Sequence, residues 1–148
     1  MYNSDDLQNS INSSILVKRF MIRNNILNLD IIRELATSTT FRSRFNTLEI
    51  LNVDLKGTDY CVTIRVLDDN QSYMIEPFIK QLLIDQIMRY YNNDLNSLLS
   101  DLNAFFSKNL LSDSSYFNNE CIEERLSRYL SSMFFIEKYP QNIYIIRI

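Results

Sequence analysis

The chain predicts an α+β fold: an antiparallel three-stranded meander plus a C-terminal strand, packed by N-terminal and C-terminal helices. Two observations predict it. Period-two apolar alternation is confined to residues 48–75 and to the last six residues, while helical periodicity fills the stretches before and between. Strands grouped in this way, rather than alternating one by one with helices, separate α+β from α/β architectures.

Residues 5–24 read as a helix capped by Ser4 or Asp5, with Ile11, Ile15, Ile22 and Ile26 on one stripe and Leu16 and Phe20 beside it. Asn24-Asn25 weakens the pattern, because Asn side chains compete for backbone hydrogen bonds. A short helix over 29–36 follows, with Asn28 able to cap it, and Thr37-Ser38-Thr39-Thr40 opens a loop.

From Leu48 the period changes to two. Leu48 and Ile50 share one face, whereas Leu51, Val53 and Leu55 share the other, and this slip predicts a β-bulge or a strand buried on both faces. Lys56-Gly57-Thr58-Asp59 forms a turn around the sole glycine. Tyr60, Val62, Ile64 and Val66 then alternate with Cys61, Thr63 and Arg65 in the most regular strand of the chain. After a turn at Asp68-Asp69-Asn70-Gln71, Tyr73-Met74-Ile75 is expected to close the meander.

Pro77 suits the first turn of a helix running to about Tyr91, with Ile79, Leu82, Leu83, Ile87 and Tyr90 as its stripe. Asn92-Asn93-Asp94 interrupts and caps the next helix, where Leu95, Leu98, Leu99, Leu102, Phe105 and Phe106 recur at helical spacing. A loop at 112–115 leads to a helix over 118–137, stopped by Tyr139-Pro140. Residues 143–148 read as a terminal strand, apolar on both faces. The length suits one domain over 1–148, with residues 1–10 as a candidate flexible tail.

Composition excludes more chemistry than it suggests. The 148 residues contain no histidine, which removes Ser-His-Asp and Cys-His catalysis and imidazole metal ligands. One glycine cannot build a Walker loop or a G-x-G-x-x-G turn. Cys61 and Cys121 are too few for a structural zinc site and read as buried small hydrophobes in a reduced compartment, with a disulfide between them as the alternative. No cofactor or metal is expected. No segment has the roughly 20 apolar residues of a membrane helix, and the acidic start lacks the basic region of a signal peptide. The expectation is therefore an intracellular protein of cytoplasm or nucleus, without membrane contact. Seventeen Asn and 18 Ile against two Ala resemble AT-rich coding, as in some viruses and fast-evolving lower eukaryotes.

The acidic groups Asp68-Asp69 and Glu120, Glu123 and Glu124 suit a turn and a helix N-terminus, so catalysis is not expected from them. The net charge is −3, yet residues 16–46 carry +4. Lys18, Arg19, Arg23, Arg42 and Arg44, with Phe41 and Phe45 between arginines, form the nucleic-acid-binding alternative. The leading expectation is a non-enzymatic protein-interaction module, a small subunit or adaptor whose partner is another protein or a second copy. Its candidate interface residues are Phe105, Phe106, Leu110, Phe134, Phe135, Tyr144 and Ile146, drawn from surplus apolar helix surface and the terminal strand.

Overall fold

A computed structural model describes residues 4–38, 42–43, 45–109, 118 and 122–148. Among these residues the protein is α+β, with five α-helices and one four-stranded antiparallel sheet. The chain divides into two compact units: residues 1–27 with 84–133, and residues 28–83 with 134–148.

The first unit is helical. Helix α1 (Ser4–Arg23) packs against α4 (Leu95–Asn109) and α5 (Ile122–Ser131). Leu16, Val17, Phe20 and Met21 form its buried stripe, and Phe20 meets Phe105 edge-on at 5.6 Å between ring centroids. Ile15 and Ile22, expected on the inward stripe, lie 47% and 49% exposed. The helix is apolar over more than one face, and packing selects the face that also carries the small residues Ser13 and Ser14. There the Ser14 hydroxyl donates to the Tyr129 carbonyl at 2.6 Å, so a buried polar group is satisfied across two helices. Asn25 ends the helix in the left-handed region (φ 56°), and the Ile26 and Leu27 amides close back onto the Met21 carbonyl.

Helix α4 is capped as expected. The Asp94 carboxylate accepts from the Asn96 and Ser97 amides and from the Ser97 hydroxyl, after Asn92 and Asn93 have both taken positive φ. Leu98, Leu102 and Phe106 then point inward. In α5 the inward residues are Ile122, Leu126, Tyr129 and Leu130.

The second unit holds the sheet, with strand order β1-β2-β4-β3. Strand β1 (Leu48–Lys56) pairs with β2 (Asp59–Val66) through the turn at Gly57, whose φ is 63°. The expected bulge lies between Ile50 and Asn52. Helix α2 (Leu29–Ala36) packs on β1, and Asn28 caps it by accepting from the Asp30 amide at 2.9 Å.

Two expected elements differ. Tyr73-Met74-Ile75 is not a strand: Asp68 accepts from the Asn70 amide and nucleates a 3₁₀ helix over Asp69–Met74, which runs directly into α3 (Ile75–Tyr90). Three apolar residues without alternation could not outweigh that cap. The helix expected over 118–137 stops at Ser131, and Phe135–Tyr139 forms strand β3. Aromatic and β-branched residues at 134–136 favour extended backbone, and positive φ at Gln141 (66°) and Asn142 (60°) turns the chain into β4 (Ile143–Arg147). The C-terminal strand joins the sheet as expected, between β2 and β3, with Tyr144 and Ile146 on its buried face and Ile143 and Ile145 half-buried on the other.

A candidate interaction edge

Hydrogen-bond phase determines which backbone groups each edge of this sheet exposes. Tyr60 and Ile148 exchange both backbone bonds, at 3.0 and 2.8 Å, and the Val66 amide donates to the Asn142 carbonyl at 2.9 Å. Tyr144 and Ile146 therefore turn their backbone toward β2, and Ile143, Ile145 and Arg147 turn theirs toward β3. Their partners Tyr139, Glu137 and Phe135 face back. The N–H and C=O groups of Ile136 and Lys138 consequently point away from the sheet, on a strand with no neighbour beyond it among the described residues.

The same argument applied to β1 turns Val53 and Leu55 outward, but there the Val53 carbonyl and the Leu55 amide are occupied. Arg33 donates from Nε and Nη2 to the Val53 carbonyl at 3.2 and 2.7 Å, and the Asp54 carboxylate accepts from the Leu55 amide at 3.0 Å. A bulge disrupts the rest of that edge. One edge is partly capped, and the other has no partner among the described residues.

Apolar side chains accompany the open edge. Phe135 is 59% exposed, Tyr139 41% and Ile136 38%. Ile136 pairs with Ile146 and so lies on the sheet face carrying buried Val62, Ile64 and Tyr144. Phe135, Glu137 and Tyr139 lie on the opposite face. There Glu137 accepts from Arg147 Nε and, at 2.7 Å, from the Tyr139 hydroxyl, which clamps β3 onto β4. The Tyr139 and Arg147 bonds hold the Glu137 carboxyl below its usual range. Correspondingly, Glu137 raises both the Tyr139 hydroxyl and the Arg147 guanidinium.

Of the described interface residues expected from sequence, only Phe135 is well exposed. Phe106, Phe134, Tyr144 and Ile146 are buried within their own units, Phe105 is half-buried against Phe20, and Leu110 lies outside the described residues. The central position of β4 removes Tyr144 and Ile146 from any edge. Ile136 and Tyr139 were not singled out by sequence. Their signal was the β-favouring run ending in Pro140-Gln141-Asn142, directly before another strand.

The basic segment is divided. Half-buried Lys18 and exposed Arg19 and Arg23 lie on α1 of the helical unit, and exposed Arg42 belongs to the sheet unit. Arg44 lies outside the described residues, as does Phe41, while Phe45 is buried edge-on to Phe78. Arg33, which adds to the local positive charge, is bonded to Val53. A cavity of about 790 Å³ in the sheet unit is lined by Arg42, Ser43 and Asn46 with Phe45, Leu48 and Phe78.

Cys61 is a buried free thiol, and Cys121 lies outside the described residues. Asp68 is the cap of the 3₁₀ helix, and Glu123 and Glu124 occupy the exposed first turn of α5. Among the described residues no group of three His, Cys, Asp or Glu is placed to hold a metal ion, and no helix is long and apolar enough to cross a membrane. Comparison with known protein families, with curated proteins and with solved structures finds no match.

Proposed function

We propose that the protein is a non-enzymatic protein-interaction module, a small subunit or adaptor, and that it engages its partner through strand β3. The observation that carries this reading is the asymmetry of the sheet. The β1 edge is partly covered by Arg33, Asp54 and a bulge, whereas the β3 edge leaves the Ile136 and Lys138 backbone groups outward beside exposed Phe135, Ile136 and Tyr139. Exposed strand edges are templates for strand addition, in which main-chain bonds supply affinity and flanking side chains supply selectivity. The lack of histidine and of glycine-rich loops supports a non-catalytic role.

The test is affinity purification from the native cell at modest salt, with and without nuclease, using the natural chain and Phe135→Glu. One stoichiometric protein retained in both nuclease arms and lost with Phe135→Glu is the expected result. Equal retention by the variant, or no retained protein, refutes the reading. Loss of everything after nuclease would transfer the role to the nucleic-acid alternative, for which half-buried Lys18 and exposed Arg19, Arg23 and Arg42 are the described cations and steep salt dependence is the signature.

A further inference from the structure

We draw no further inference here: the strongest candidate, the cavity of about 790 Å³ in the sheet unit lined by Arg42, Phe45 and Phe78, takes its walls from a stretch of chain whose residues 39–41 and 44 lie outside the described residues, and nothing in the structure shows what fills it.

Discussion

The Arg33 guanidinium crosses 20 residues of chain to reach the Val53 carbonyl, donating from Nε at 3.2 Å and from Nη2 at 2.7 Å. A helix side chain thereby occupies an acceptor that the ladder leaves unused, and α2 becomes the cover of one sheet edge. Charged hydrogen bonds to carbonyls are stronger than neutral ones, though partial solvent exposure reduces their net contribution. Arg33→Ala is expected to cost about 1 kcal/mol in urea unfolding. It should also uncover the β1 edge, so that light scattering rises with concentration. Arg33→Lys keeps the charge but loses the two-pronged donor geometry, and should recover only part of the stability. Unchanged stability together with unchanged scattering in Arg33→Ala would show that Val53 needs no cap.

Gln86 occupies the centre of the inward stripe of α3, between Leu82, Leu83 and Ile87, and is 1% exposed. Among the described residues neither its amide nitrogen nor its amide oxygen has a hydrogen-bond partner. A buried polar group left unsatisfied costs about 1–3 kcal/mol, whereas an apolar side chain of similar shape carries no such penalty. Gln86→Leu and Gln86→Met are therefore expected to stabilise the protein by about 1–2 kcal/mol, raising the melting temperature by several degrees. A fall in stability for both variants would show that the amide is solvated in the core, and would point to a buried water there.

Sequence displayed those features whose cause is local. The Asn28 and Asp94 caps, the Gly57 turn, the bulge at Ile50-Leu51 and the alternation of β2 each depend on a few neighbouring residues, and each is present. The inward face of α1 was not legible, because Ile15 and Ile22 are as apolar as Leu16 and Val17. The contact that buries Ser14 lies 115 residues away, at Tyr129. Strand β3 was hidden for a related reason: Phe134 and Phe135 continue a helical stripe as readily as they begin a strand, and only pairing with β4 decides. The candidate site suffers most from this. Phe134 is 8% exposed and Phe135 59%, so the residue that matters differs from its neighbour by one position in a ladder that composition does not encode.

Gln141 holds φ at 66° beside Asn142 at 60°, in the turn joining β3 to β4. Asn tolerates the left-handed region through its short polar side chain, but Gln has no such allowance. Replacing Gln141 with Gly removes the clash of Cβ with the backbone, offset in part by the greater freedom of glycine in the unfolded chain. The expected gain is about 0.5–1 kcal/mol, and Asn142→Gly should gain less. Equal or reversed effects in thermal unfolding would place the strain elsewhere.

Acid stability should depend on two carboxylates, one in each unit. The Asp94 carboxyl lies below its usual value of 3.8 because the Ser97 hydroxyl and then the Ser97 amide donate to it. The Glu137 carboxyl lies below its usual 4.5 because the Tyr139 hydroxyl and then the Arg147 guanidinium donate to it. A carboxyl whose value is depressed by folding binds its proton more weakly in the folded than in the unfolded chain. Its stabilising contribution is therefore complete above the unfolded value and disappears as pH falls through the folded one. Asp94 is exposed and Glu137 partly so, and the expected effect is a change of slope rather than abrupt acid unfolding. In urea titrations at successive pH values, Glu137→Gln and Asp94→Asn should each flatten the decline of stability between about pH 5 and pH 3. Glu137→Gln should leave the Asp94 carboxyl titrating unchanged by NMR, because the bonds that lower Asp94 come from Ser97 and Asn96. A variant whose stability falls with acid as steeply as the natural chain would deny its carboxylate any part in the folded state's acid sensitivity.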